Sequence, residues 1–124
     1  MSKFLEREYQ LVIWDWFGTL CKHGQVNPDS LYDQFPKAAK GIISNHKYST
    51  DLEKWLKDTN LITIFGGNYI CQDGRYPPKP NPHMYFRLLK LMELRVDLRI
   101  LYIGDSDTDE EFAKNIGADF MSIS

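Results

Sequence analysis

Cysteine is scarce in this chain, with only Cys21 and Cys71 among 124 residues. Two thiols cannot staple a disulfide scaffold, and they read as free thiols in a reducing, cytoplasmic setting, with one structural disulfide as the lesser alternative. Long apolar runs are missing too. No stretch approaches the roughly 20 residues of a membrane span. Residues 1–10 are polar and charged and hold no signal-peptide core. Basic excess is also absent: the formal net charge is -2, which argues against a nucleic-acid footprint or a polybasic membrane anchor. Repeats, low-complexity tracts and long linkers do not occur. The remaining composition is that of an ordinary globular protein. Residues 1–124 therefore read as one domain, large enough to bury about two-thirds of its unfolded surface.

Apolar and helical patterns alternate along the chain. Residues 1–8 form a polar lead-in with room for a short helix. Gln10 to Trp14 is an apolar strand suited to burial on both faces. Gly18 to Pro28 reads as a loop, Ser30 to Phe35 as a short helix interrupted by Pro36, and Gly41 to Ile43 as a second strand ending in Ser44-Asn45. Thr50-Asp51-Leu52-Glu53 fits a capping box opening a helix that ends near Asn60. Leu61 to Phe65 is the candidate third strand, and Asp73-Gly74 marks a turn. Tyr76 to Pro82 carries four prolines and is irregular. Asn81 and Pro82 then start a helix with a stripe of Met84, Leu88, Leu89, Leu91, Met92 and Leu94. Arg99 to Ile103 is a fourth strand ending in Gly104-Asp105. Asp107 with Glu110 opens a helix that stops at Gly117, and Asp119 to Ile123 is a last strand. This order predicts an α/β fold, a mostly parallel sheet with helices on both faces.

Three polar groups follow directly on apolar strands: Asp15, the pair Ser44-Asn45, and Asp105 with Asp109. In open α/β sheets ligands bind at the carboxyl ends of the strands, so parallel neighbours would bring all three to one rim. Carboxylates meeting there repel one another. A divalent cation relieves the repulsion, and hard oxygen donors with room for water favour Mg²⁺. The cation could hold a phosphate oxygen while Asp15 attacks phosphorus, which is covalent catalysis through an aspartyl phosphate. The Ser44 hydroxyl and the Lys79 amine could bind the remaining phosphoryl oxygens. Taken singly, each residue has a plainer explanation: Asp15 as a turn residue, Ser44-Asn45 as turn chemistry, Lys79 as a solvated loop lysine, and the acidic run from Asp105 to Glu111 as a helix N-terminus. Their occurrence together, in this order, is what carries the reading. The spacing of His23, His46 and His83 does not bring them into one metal site. Trp14 and Trp16 are read as core or rim packing, with Trp16 also able to lie beside a leaving group.

In these segments the chain resembles the haloacid dehalogenase superfamily, most of whose members are phosphatases. Asp15-Trp16-Phe17-Gly18-Thr19-Leu20 is similar to the family's DxDGTL motif, Ile43-Ser44-Asn45 to its second motif, Lys79-Pro80-Asn81-Pro82 to its KPxP segment, and Gly104-Asp105-Ser106-Asp107-Thr108-Asp109 to GDSxxD. The first and fourth are the specific ones. The run Ala113-Lys114-Asn115-Ile116-Gly117-Ala118 resembles the end of the helix that follows. The resemblance spans roughly residues 10 to 123, with the phosphoglycolate-phosphatase-like branch as the nearest flavour. It implies a Rossmann-like three-layer sandwich with strand order 5-4-1-2-3. It also implies Asp15 as nucleophile and Mg²⁺ ligand, the Phe17 carbonyl and Asp105 as further ligands, and Asp109 binding the ion directly or through water. Ser44, Asn45 and Lys79 would hold the phosphorylated substrate.

Three departures stand out. The family's phosphatases carry a second Asp at the position of Phe17, where it protonates the leaving group and then activates water; such help is worth about 10²–10⁴-fold. The family's dehalogenases lack that Asp but work without metal, and the acidic fourth motif here argues against that chemistry. Phosphonoacetaldehyde hydrolases lack it too, but need a cap-domain lysine for which there is no room. Second, only residues 21–43 separate Leu20 from Ser44. No large cap domain fits, so the expected site is open and suited to large phosphorylated substrates, macromolecular ones included. Third, the sequence stops at Ser124, just after the fifth strand, and the exposed edge there suits a partner chain, as in a homo-oligomer.

The expected activity is that of a Mg²⁺-dependent phosphatase acting through Asp15 and weakened by Phe17, so that acyl and aryl phosphates are its best substrates. The alternative is a non-catalytic relative that binds metal, phosphate or a protein through the same rim. A phospho-accepting receiver domain shares the chemistry but places its acidic pair at the first strand and its lysine after the last, the reverse of the order here.

Overall fold

The computed structural model describes residues 8–95 and 97–123. Apart from Glu8, the polar lead-in read from the sequence falls outside them. Strand β1 (Leu11–Trp14) lies at the centre of a five-stranded sheet. It pairs in parallel with β4 (Ala39–Ser44) on one side and with β6 (Ile100–Gly104) on the other. Beyond these lie β5 (Tyr69–Cys71) and β7 (Asp119–Ser122), each also parallel to its neighbour. Counting only these five strands along the chain, their order across the sheet is 5-4-1-2-3, as the resemblance implies.

Parallel neighbours need crossover links, and helices make every crossing except the one from β1 to β4. Helices α1 (Ser49–Asp58) and α2 (Ile62–Phe65) cover one face, α3 (His83–Met92) and α4 (Asp107–Ile116) the other. Strand β1 shows the consequence residue by residue. Val12 and Trp14 pack with Leu52, Leu56 and Phe65, while Leu11 and Ile13 pack with Met84, Leu88 and Phe112. All four β1 side chains are fully buried, which explains why the strand reads as an unbroken apolar run.

The link from β1 to β4 departs from the expected plain loop. It holds a small hairpin, β2 (Cys21–Lys22) and β3 (Gln25–Val26). The helix expected over Ser30 to Phe35 is absent. A 3₁₀ turn at Pro28–Ser30 takes its place, with Asn27 accepting from the Asp29 N–H at its start and Leu31 in the left-handed region at its end. No α-helix lies between β1 and β4 among the described residues, so there is no large cap domain in this link. Part of the missing cover comes from aromatic rings. Trp14 donates its indole N–H to the Ser30 carbonyl (2.7 Å) and meets Phe35 and Phe65 edge-on.

The third strand also differs from expectation. Leu61 to Phe65 is helical, with the Ile64 and Phe65 N–H groups both donating to the Leu61 carbonyl, and the sheet strand is Tyr69–Cys71. Side chains 61 and 65 are buried while Ile64 is partly exposed, a helical rather than an alternating pattern. The Thr50 capping box does not form. Helix α1 begins two residues earlier than that box implies, with Tyr48 at the cap position, and its Ser49 N–H donates to Asp73 Oδ1 of a distant loop (2.7 Å). At α4 the cap is Ser106, whose hydroxyl accepts from the Asp109 N–H, rather than Asp107. Gly117 closes α4 at φ +74° as expected. On α3, Leu91 is half exposed and Tyr85 takes the buried place instead, because Leu91 lies about a quarter-turn off the face centred on Met84, Tyr85, Leu88 and Leu89. Both cysteines are buried free thiols. Among the described residues no helix is long and apolar enough to cross a membrane.

Phe65 is fully buried against Trp14 at 5.5 Å between ring centroids, so Phe65→Ala should destabilise the fold by about 3–5 kcal/mol. Urea denaturation monitored by tryptophan fluorescence measures this; a loss below about 1 kcal/mol would mean that the α2 region does not pack on the sheet as described.

Candidate active site

Because the strands are parallel, β1, β4 and β6 all end at one edge of the sheet. Asp15 extends β1, its N–H donating to the Ile103 carbonyl at 2.9 Å. Ser44 ends β4 and Asn45 follows it. Gly104 ends β6, followed by Asp105 and the first turn of α4, which carries Asp109. Lys79 reaches this edge from the proline-rich loop. Asn45 holds it there: its Oδ1 accepts from the Lys79 N–H (2.7 Å) and its Nδ2 donates to the Lys79 carbonyl (3.3 Å). Asn115 adds a bond to the Pro80 carbonyl (2.9 Å).

The Lys79 side chain is buried, and its ammonium is surrounded by oxygens. It lies 2.9 Å from Asp15 Oδ1, 2.8 Å from Asp109 Oδ1, 2.8 Å from the Tyr102 hydroxyl and 3.2 Å from the Ile43 carbonyl. An ammonium has three protons to share among them. The second oxygen of Asp15 accepts from the Thr19 hydroxyl (3.3 Å). The second oxygen of Asp109 accepts from the Asp105 N–H and the Ser106 hydroxyl (3.1 Å each). Asp105 is exposed. Oxygens of Asp15, Asp105 and Asp109 lie within 4.8 Å of one another.

Three carboxylates face one ammonium, and the electrostatics reflect the shortfall. Burial raises the Asp15 carboxyl to about 7; Lys79 opposes the rise, and Asp109 and Asp105 add to it. Burial also pushes Asp109 upward, but the Lys79 charge and hydrogen bond, with those from Asp105 and Ser106, prevail and hold it below the ordinary value. Burial and the nearby carboxylates push the Tyr102 hydroxyl up as well, so it stays protonated. The donor set is all oxygen, hard and anionic, and suits a divalent cation such as Mg²⁺. Two glycines make the close approach possible. A Cβ on Gly18 (φ +81°) would run into the Asp105 carboxylate, and one on Gly104 would sit 2.5 Å from Asp109 Cβ. In the turn after β1 the Asp15 and Trp16 carbonyls accept backbone bonds, whereas the Phe17 carbonyl accepts none among the described residues.

The structure thus brings Asp15, Lys79, Asp105 and Asp109 together. Ser44 is buried at the end of the strand next to β1, its Oγ accepting from the His46 N–H at 3.0 Å. The Asn45 amide is engaged with the Lys79 backbone. The Phe17 ring faces outward and is 51% exposed. Thr19, Tyr102 and Ser106 were not singled out from the sequence. Tyr102 left a signal there, since a hydroxyl within a strand buried on both faces needs a polar partner. The histidines lie apart in function: His46 pairs with Asp51 Oδ2 (2.8 Å), His83 lies by the Tyr76 ring, and His23 is exposed in the hairpin turn. A cavity of about 770 Å³ lies by Gln10, Arg99 and Asp119 at the opposite edge of the sheet and contains none of the site residues.

The Asp15 shift fixes a pH dependence. A carboxyl raised above its unfolded value binds more protons in the folded state, so its contribution makes metal-free protein less stable as pH rises from about 4 to about 7. Asp109, being lowered, acts in the opposite sense, and its contribution is lost only as pH falls below the ordinary carboxylate range. Between pH 4 and 7, in chelator, Asp15→Asn should therefore flatten the decline in melting temperature and raise the melting temperature at pH 7 by several degrees. An unchanged profile would mean that Asp15 is not held in an uncompensated site.

Comparison with known proteins agrees with this fold. A family model described as haloacid dehalogenase-like hydrolase matches residues 30–123; the match begins after Asp15, so that residue's place rests on the geometry above. No curated protein matches the chain. Among solved structures, a phosphoglycolate phosphatase candidate from Lactobacillus plantarum superposes with a TM-score of 0.73 at 17% identity, covering 92% of this chain and 86% of its own. A hydrolase from Streptococcus pneumoniae TIGR4 gives 0.70 at 16% identity, covering 95% and 94%. The core domain of a phosphoglycolate phosphatase candidate from the same source gives 0.65 at 24% identity, covering 94% and 80%. These likenesses are of fold; with the family match, they identify the chain as a member of the haloacid dehalogenase-like hydrolases.

Proposed function

We propose that the chain is a Mg²⁺-dependent phosphatase that works through an aspartyl phosphate on Asp15. The observation that carries the reading is the buried Lys79 ammonium bridging Asp15 and Asp109 beside a third carboxylate. A lysine balancing one carboxylate of three leaves a site suited to a divalent cation, held by Asp15, Asp105, Asp109 and the free Phe17 carbonyl. When bound, the cation offsets the charge of the carboxylates and of one phosphoryl oxygen.

In this reading an Asp15 oxygen attacks phosphorus as the ester P–O bond breaks. The Lys79 ammonium gives up one of its present oxygen partners to turn a proton toward the phosphoryl group, and the Ser44 hydroxyl, already accepting from the His46 N–H, donates another. Asn45 keeps Lys79 at that reach. Water then attacks phosphorus and releases Asp15. Phe17 offers no proton at either step. The shortened link after β1 leaves the site open, which suits phosphorylated groups on large molecules as well as small phosphoesters. Phe17 also favours one second reading, a relative that binds metal and phosphate without turnover.

The test is release of para-nitrophenol from its phosphate ester. Wild-type release should need Mg²⁺ and fall to background in Asp15→Asn. Phe17→Asp should raise turnover of esters with poor leaving groups by about 10²–10⁴-fold. Equal release by wild type and Asp15→Asn would sink the proposal. A silent wild type revived by Phe17→Asp would establish the second reading instead.

A further inference from the structure

The position that lacks the general acid is also the start of an aromatic wall. Phe17 stacks on Trp16, with centroids 4.0 Å apart and planes 26° from parallel. The His46 ring meets both edge-on, at 5.1 Å from Trp16 and 5.2 Å from Phe17. Tyr48 continues the row at 6.2 Å from His46. Trp16 is buried and leans on Trp55, whose indole N–H is tied to the Gly24 carbonyl of the β2–β3 hairpin at 3.0 Å. His46 is tied to Asp51 on α1. The outer rings of this braced row, Phe17 and Tyr48, are 51% and 56% exposed. Phe17 follows Asp15 by two residues and His46 follows Ser44 by two, so the row starts from the same two strand ends as the site, and rings of this kind hold other rings by stacking and edge contacts.

From these contacts we infer that the wall is a specificity element for aryl phosphates, with the ring of the leaving group lying against Phe17 and Tyr48. The inference rests on the phosphatase reading for its chemistry, and two independent features converge on it. Without an acid at position 17 the leaving oxygen must depart unprotonated. A phenol, ionising near pH 10, does so far more readily than an aliphatic alcohol. A nucleotide would also offer a ring, but its phosphate leaves from an aliphatic ribose oxygen, so the missing acid counts against it. In the step itself, the Asp15 oxygen–phosphorus bond forms as the phosphorus–phenol oxygen bond breaks. The phenolate keeps the electron pair and takes its proton from solvent, which the open site admits.

The test separates binding from turnover. Phenylphosphonate and methylphosphonate, which cannot be hydrolysed, are titrated into Mg²⁺-loaded protein by calorimetry. Phenylphosphonate should bind about 3- to 10-fold tighter, the range that one aromatic contact supplies; Phe17→Leu and Tyr48→Ser should each erode that ratio, and Tyr48→Ser should do so with methylphosphonate binding left in place. Equal binding of the two probes, or a ratio indifferent to both substitutions, overturns the inference even if the protein proves a phosphatase. Turnover then addresses the underlying reading. Phenyl phosphate and free phosphotyrosine should have lower KM than acetyl phosphate, which has a good leaving group but no ring, and a phosphotyrosyl peptide compared with free phosphotyrosine distinguishes a protein-borne source from a small one. A protein that discriminates the phosphonates but turns over none of these retains the aryl-binding wall and loses the phosphatase reading.

Discussion

One ammonium group organises the carboxyl edge of this sheet. Lys79 is buried between Asp15 and Asp109, and burying a charge is tolerable only where partners surround it. Much of the surrounding chain serves that condition. The parallel sheet delivers Asp15 at the end of β1 and, through the turn after the adjacent β6, Asp109 from the start of α4. Tyr102 rises from β6 to present its hydroxyl, and Ile43 lends a carbonyl. Asn45 fixes the backbone of Lys79 from the neighbouring strand, and Asn115 fixes Pro80 from the end of α4. The acidic trio would be untenable without the lysine, and the lysine has no other reason to be buried. The excess negative charge that remains is the feature that makes the place a site rather than a structural ion pair.

Legibility in the sequence followed the strength of the local physics. Strands β1 and β6 are buried on both faces, so they are continuous apolar runs, and each ends abruptly in an acidic residue; their existence and the polar rim were visible for that reason. Leu61 to Phe65 was not distinguishable as helix, because four apolar residues and a threonine satisfy a strand or a helical turn equally, and the decision belongs to the turn bonds that the Ile64 and Phe65 N–H groups make to the Leu61 carbonyl. The Thr50 capping box failed because Asp73, far along the chain, accepts from the Ser49 N–H and the helix starts before the box. Tyr102 is the instructive omission. Its hydroxyl was in plain view within an apolar strand, but its role exists only once Lys79, distant in sequence, arrives beside it.

The shortened link between β1 and β4 has two features that work together. It contains no α-helix among the described residues, and it brings a small hairpin up beside the aromatic rings, where the Gly24 carbonyl accepts from the Trp55 indole. The face beneath stays dry because Trp14 spans the gap, bonded to Ser30 and set edge-on to Phe35 and Phe65. Aromatic residues do this economically, since each buries a large area with few torsions to fix. The same economy at the rim produces the row from Trp16 to Tyr48, so packing and the shape of the mouth have a common origin.

Asp15 shows what the crowding of carboxylates costs. Burial and two neighbouring carboxylates outweigh the lysine and raise its carboxyl to about 7. The fold could relieve this by exposing Asp15 or by removing Asp105, and either change would remove the oxygens that face one another. Glycine at positions 18 and 104 goes the opposite way and draws the acids closer. Such strain persists only where the rest of the structure over-determines it, and the sheet does so by hydrogen-bonding Asp15 into β1 at Ile103. The arrangement therefore costs stability, and a cation held there, as the proposed function requires, would return it by balancing the charge.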